Sequence, residues 1–370
     1  MGFVFSADGH VREPHDLYTG GLPPSLQKYS MHTVVQGDEI ISMAGEKVLG
    51  RTQINRAPKN PEMANFGRPN QKGVSDISAR LEDMASEGID AEIAFPSAGL
   101  MMFLLTHPEA ELASCQLYND WNNGFFSGHL QTFVRCGILP IRNPEYTVQE
   151  MKRLAGMGFT AAMLPSVVPP GVPAYNEPYW EPIFEAAQTY NMVMVLHCGT
   201  GREDVRAVKG NGGAIINYTI QMTDAQISLM YMIGSGLLDR FPGAKVAVIE
   251  SGASWLAGLA ERLDEVNEAH AIFVRPKLSL KPSEIIQRQV HVAFQYDRAC
   301  IMSRSVTGHQ ALMWGSDYPH HEGTFPNSRK VLAHLFDGIE ISEKEKADIV
   351  GGNAARLFRL PRPEFAVAAE

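Results

Sequence analysis

The 370-residue chain has little of what marks several large protein classes. It has four cysteines, Cys115, Cys136, Cys198 and Cys300, far apart and with no CxxC pair. That excludes a disulfide framework and a thiolate zinc site, and fits thiols kept in a reducing compartment. No apolar run approaches the roughly 18 residues that a membrane span requires. The opening run MGFVFSADGH turns polar after five residues, which does not fit a secretory leader, so cytoplasm is the expected location and the sequon at Asn217 incidental. Lysine and arginine form no block or stripe, and the net charge is −9, which argues against nucleic acid and anionic membranes as partners. No GxGxxG or GxxxxGK[ST] follows an apolar run, so the usual nucleotide-binding signatures are missing as well. There is no internal repeat.

What the chain does have is alternation. Short apolar runs at 3–8, 91–97, 133–140, 161–166, 192–197, 245–250, 291–296 and 312–317 are separated by longer stretches with helical patterning, such as 78–87, 108–127, 178–190, 223–239, 254–270 and 327–336. Continuous apolar runs without strict alternation fit parallel strands covered on both faces. Eight of them imply a closed barrel or a large open sheet. The site-like residues end runs one, five, six and eight; an open sheet would spread these apart, whereas a barrel brings all eight ends to one mouth. The expectation is a single α/β domain over 1–370, a (β/α)8 TIM barrel. Residues 20–77 would be a long insertion after strand one, with turns at Gly37-Asp38 and Gly45-Glu46 and a Pro/Asn-rich stretch lying over the mouth as a lid. A Gly-rich loop is expected at 199–214.

Chemistry concentrates at four strand ends. In SADGHVREP, Asp8 and His10 are two apart and share a side in extended backbone, with Glu13 close behind. The fifth run delivers His197. The sixth, VAVIE, delivers Glu250, a carboxylate that needs a partner when buried, either an arginine in a structural ion pair or a cation at the mouth. The eighth leads into GSDYPHHEGTFP, which presents Asp317, His320, His321 and Glu322. Converging carboxylates and imidazoles form the mixed N/O ligand set of Zn, Mn or Fe, and a dication relieves the repulsion among the acids. Arg68, Trp255 and Tyr318 lie where they would contact a substrate.

The motifs DGHVREP, the strand ending in His197, GSDYPHHEGTFP, RLEDMASEGIDAEIAFPS and IVGGNAARLF resemble the amidohydrolase superfamily, in its branch related to aminocarboxymuconate semialdehyde decarboxylase. The resemblance spans almost the whole chain. It implies a (β/α)8 barrel whose divalent metal is held by His10, His197 and Asp317, with Asp8 in a slot commonly filled by histidine or glutamate. It also implies a homodimer. Two departures stand out: Glu250 sits where many relatives carry a histidine, and strand four, AAMLPS, lacks the bridging group of binuclear members.

Three reactions follow from these residues. The leading expectation is hydrolysis of a small organic molecule by a metal-activated water, with Asp317 shuttling the proton and His320 or His321 steadying the oxyanion. The alternative is non-oxidative decarboxylation of an aromatic or unsaturated acid, with Asp317 as proton donor. The third is oxygenase chemistry at a dinuclear Mn/Fe site, for which Asp8, Glu13, Glu250, Asp317 and the histidines would supply ligands. Glu250 is expected to act on the substrate or on a second ion.

Overall fold

The computed structural model describes residues 2–53, 71–205 and 207–365. The strands in chain order are β1 (Phe5–Ser6), β2 (His10–Val11), β3 (Met31–Gln36), β4 (Glu39–Ala44), β5 (Lys47–Gln53), β6 (Ala91–Pro96), β7 (Phe133–Ile138), β8 (Ala161–Pro165), β9 (Val193–His197), β10 (Lys245–Ile249), β11 (Val290–Phe294) and β12 (Leu312–Trp314). β1 and β2 together form the first stave of a barrel, and β6 to β12 supply the other seven, each parallel to its neighbour. The last stave returns to the first. The Ala7 amide donates to Trp314 O at 2.9 Å, the Asp317 amide to Asp8 O at 3.0 Å and the His10 amide to Tyr318 O at 2.7 Å. Helices fall between the strands, and the architecture is the expected (β/α)8 barrel.

The apolar runs form strands because both faces are covered. Every residue of β6, β7, β8 and β9 is buried, the inner face by other staves and the outer by helices. The helices begin where side chains satisfy their first amides. Asp76 accepts from the Ser78 and Ala79 amides ahead of helix Ile77–Glu87, and Asn143 accepts from the Glu145 amide ahead of Pro144–Gly156. Gly88 ends the first of these at φ 72°, the left-handed conformation that glycine adopts without steric cost.

The insertion after the first stave carries β3, β4 and β5 as an antiparallel sheet, reversing at Gly37-Asp38 and Gly45-Glu46 as the turn residues predict. Lys47 on β5 pairs with Glu203, tying this sheet to the loop after β9. The Pro/Asn-rich stretch expected over the mouth, with Arg68, lies outside the described residues.

Two elements differ from the sequence-based expectation. The helix placed at 223–239 runs instead over Gly213–Gly234, so the preceding loop ends at Gly212. The β-branched run at its start reads against helix, yet the Asn217 side chain holds both the amide and the carbonyl of Val208 (2.9 and 2.8 Å) and fastens the first turns to the loop. The first stave is also broken, into β1 and β2, around Gly9. A Cβ on Gly9 would come within 2.5 Å of Glu92 Oε2 and 2.7 Å of Arg80 Nη2, so the chain passes there only as glycine.

Arg80 is the buried charge beneath this break. Its Nη1 donates to His10 O at 2.9 Å, its Nε to Glu92 Oε1 at 3.1 Å, and its guanidinium stacks 3.9 Å from the Tyr318 ring centre. Removing it would leave the Glu92 carboxylate buried and unpaired. Arg80→Ala is therefore expected to lower unfolding free energy by about 3–5 kcal/mol, read by urea denaturation; a loss near zero would show that solvent compensates Glu92.

Candidate metal centre

The ends of four staves deliver the side chains singled out in the sequence. Asp8 and His10 flank the Gly9 break, His197 is the last residue of β9, Glu250 follows β10, and Asp317 lies three residues beyond β12. Glu250 and Asp317 both adopt left-handed backbone, at φ 58° and 53°. For residues with a Cβ that conformation costs roughly 1 kcal/mol each. Such strain persists where the surroundings overdetermine it, here through the Asp317 amide on Asp8 O and the Cys198 amide on Ile249 O (3.1 Å).

Asp8, His10, His197 and Asp317 are all fully buried. Asp8 Oδ1 lies 3.7 Å from His10 Nε2 and 3.6 Å from His197 Nε2, and His10 Nε2 lies 3.5 Å from Asp317 Oδ1. The tautomers follow from the other ring nitrogens. His10 Nδ1–H donates to Pro96 O at 3.0 Å and His197 Nδ1–H to Cys198 O at 3.1 Å, so both Nε2 atoms offer a bare lone pair. Asp8 Oδ1, His10 Nε2, His197 Nε2 and Asp317 Oδ2 are buried without a hydrogen-bond partner among the described residues. Unsatisfied acceptors such as Asp8 Oδ1 and the two Nε2 atoms, close together, are the arrangement a cation satisfies, and protein donors each about 2.1 Å from one ion stand roughly 3–3.5 Å apart. Metal-competent side chains group as Asp8, His10 and His197, and as His10, Glu250, Asp317 and His320, with His10 common to both. The residues present fit a divalent ion.

The electrostatics agree. Burial, with the nearby His320 and His197 rings, pulls the His10 pKa well down, which keeps its imidazole neutral and ligating. Burial beside Asp317, Asp8 and Glu322 pushes the Glu250 carboxyl up. Glu250 Oε2 stands 3.6 Å from His197 Nδ1 and pairs with no arginine among the described residues, so the structural ion pair that its sequence position allowed is not formed there. His320 is also drawn down by burial, but the 2.7 Å hydrogen bond from its Nδ1 to Asp317 Oδ1 and the surrounding carboxylates outweigh this and raise it to about 9.

Other expected site residues are engaged elsewhere. Glu13, expected as a ligand, accepts from the Ser97, Ala98 and Gly99 amides at 3.2, 3.1 and 2.8 Å, capping the 3-10 helix Ala98–Leu104. Tyr318, expected to face substrate, turns its hydroxyl to Asp83 at 2.6 Å and lies beneath Arg80. The Trp255 indole N–H donates to Ser251 O and Gly252 O (2.9 and 3.0 Å), bracing the turn after Glu250. His321 is exposed on the loop and belongs to neither metal-competent group. Two residues of the site were not singled out in the sequence: Arg80, which opens the motif RLEDMASEGIDAEIAFPS, and Gln295, whose amide reaches Asp8 Oδ2 at 3.3 Å.

Fold and site together define a metal-dependent (β/α)8-barrel enzyme. The family described as Amidohydrolase matches residues 41–360, and the chain belongs to it. It is 23% identical over 306 residues to 2-amino-3-carboxymuconate-6-semialdehyde decarboxylase of Dictyostelium discoideum, covering 80% of each chain. An amidohydrolase from Mycobacterium avium subsp. paratuberculosis superposes with a TM-score of 0.80 at 19% identity, over 97% of this chain and all of the other. A dihydroxybenzoic acid decarboxylase from Polaromonas sp. JS666, solved with manganese and 2-nitroresorcinol, superposes with a TM-score of 0.67 at 16% identity over the full length of both.

His197→Ala is expected to fold yet to lose most bound metal, measured by elemental analysis of protein purified without chelator. Undiminished metal in the folded variant would remove His197 from the ligand set.

Proposed function

We propose that the chain is a metal-dependent, non-oxidative decarboxylase of an aromatic or unsaturated carboxylic acid. The observation that carries this reading is the position of Asp317. One of its oxygens is buried without a partner among the described residues, and the other lies 3.5 Å from His10 Nε2 and holds His320, so the carboxyl joins the metal pocket to a proton source. The decarboxylases among the relatives and structural neighbours favour this reaction over hydrolysis, the leading expectation from the motifs. A single ion fits better than a dinuclear oxygenase site, because β8 offers no bridging carboxylate or lysine and Glu13 is taken up by backbone amides.

A divalent ion held by Asp8, His10, His197 and Asp317 would anchor the substrate's oxygen atoms and polarise them. The protein's own groups do the rest. Asp317 passes a proton to the carbon that bears the carboxylate. The bond to the carboxylate carbon then breaks, carbon dioxide leaves, and the bonding electrons restore the unsaturated system. His320 returns a proton to Asp317 across their hydrogen bond. Glu250, whose Oε2 stands 3.6 Å from His197 Nδ1, is the further carboxyl placed to contact a substrate oxygen. The buried staves exclude water from the reacting carbon.

The test is to incubate manganese-loaded protein with hydroxybenzoates and carboxylated dienoic acids, following carbon dioxide, alongside lactones and amides. Carbon dioxide release is expected, with Asp317→Asn at least about 100-fold slower per equivalent of bound metal. Turnover of lactones or amides without carbon dioxide release would overturn the assignment in favour of hydrolysis.

We further propose that the enzyme is cytoplasmic and a homodimer. Four cysteines free of disulfides support the compartment. Helix Gly213–Gly234 supports the assembly, since it exposes Ile215, Ile216, Ile227, Met230 and Tyr231. Light scattering at micromolar concentration is expected to give twice the chain mass and Ile227→Asp to lower it; a monomeric wild type would refute the assembly.

A further inference from the structure

Stave β11 contributes no member of either metal-competent group, yet the three residues that follow it each hold a different ligand-bearing segment. Gln295 Nε2 donates to Asp8 Oδ2 at 3.3 Å. The Tyr296 hydroxyl donates to Gly323 O at 3.1 Å, on the loop that carries Asp317 and His320. Asp297 Oδ2 accepts from the Ala253 and Ser254 amides at 2.9 and 2.7 Å, closing the turn after Glu250.

Of these, the Gln295 contact bears most directly on the metal. The Asp8 main chain is already fixed, its carbonyl accepting from Ser6 Oγ, Ser316 Oγ and the Asp317 amide at 2.7, 3.3 and 3.0 Å. Its carboxylate retains freedom about the side-chain torsions, and the Gln295 amide is the hydrogen-bond donor that meets it. With Oδ2 engaged, Oδ1 is turned toward His10 Nε2 and His197 Nε2, where it stands unpartnered. An uncharged donor suits this place. A lysine or arginine would hold Asp8 equally well but would repel a dication, and a carboxylate would repel Asp8 itself.

We propose that Gln295 is a positioning residue for the metal centre, acting through Asp8 by fixing which carboxylate oxygen faces the ion. Loss of such an outer hydrogen bond lowers metal affinity by about 10–100-fold while leaving the ligands in place. The role rests on the metal centre alone and holds for decarboxylation and hydrolysis alike.

The experiment titrates metal-free protein with Mn2+ by calorimetry, with no substrate present, and records the thermal midpoint of the metal-free form. Gln295→Met keeps the length and volume of the side chain and removes the donor. It is expected to weaken Mn2+ binding about 10–100-fold, with the metal-free midpoint unchanged. A dissociation constant within about twofold of wild type would overturn the proposal, since a packing role is preserved by methionine and a pure substrate contact leaves metal affinity untouched. A fall in the metal-free midpoint with unaltered affinity would overturn it too. Should Gln295→Met fail to fold, Gln295→Asn, which draws the amide back by a methylene, is titrated in the same way: weakened Mn2+ binding supports the role and unaltered binding overturns it. Because no substrate enters the measurement, its failure is distinguishable from failure of the decarboxylase assignment.

Discussion

Buried acceptors left without a donor at the barrel mouth set the terms for the rest of this structure. Asp8 Oδ1, His10 Nε2, His197 Nε2 and Asp317 Oδ2 are shielded from water and meet no donor among the described residues. Burying an acceptor unsatisfied costs roughly 1–3 kcal/mol, and a charged one more. A divalent cation would turn that cost into coordination and offset the repulsion between the two carboxylates. Neutral imidazoles, fixed in the right tautomer by Pro96 and Cys198 carbonyls, complete a set that suits a borderline metal such as manganese or zinc.

Much of the surrounding framework makes sense as support for this cluster. Left-handed backbone at Glu250 and Asp317 is tolerated because neighbouring staves hold those turns by hydrogen bonds. Arg80 spans the break in the first stave, holding the His10 carbonyl while Glu92 neutralises it and Tyr318 covers it. The residues after β11 reach toward three ligand-bearing segments. A ligand set spread over the first and last staves depends on barrel closure, and the hydrogen bonds that close it run through Ala7, Asp8, His10 and Asp317, among or beside the ligands. Folding and site assembly are therefore the same event at this edge.

A polarising ion with a carboxyl at its edge serves more than one reaction. Hydrolysis and decarboxylation differ in where the proton of Asp317 goes, to a heteroatom leaving group or to carbon, and the ligand set is indifferent to that choice. In the proposed decarboxylation the proton would go to carbon, and His320, 2.7 Å from Asp317, would be its source.

The sequence by itself determined the barrel and the strand ends that carry the metal-competent side chains. Continuous apolar runs fit strands covered on both faces, and once the barrel closes the polar residue that ends such a run lands at the mouth whatever the loops do. Hence His10, His197 and Asp317 were legible, as were the reversals at Gly37-Asp38 and Gly45-Glu46, where glycine meets the positive φ of 60° and 58°. Only the tertiary structure decided which neighbours of those residues point inward. Glu13 and Tyr318 lie within a few residues of the ligands, yet amides of a separate 3-10 helix and the buried Arg80 claim them. Gln295, in turn, has no local signal; its importance comes from Asp8, 287 positions away in the chain. Strand ends are placed by local patterning, whereas the partner of a buried polar group is chosen by whatever distant segment the closed barrel brings within hydrogen-bond reach.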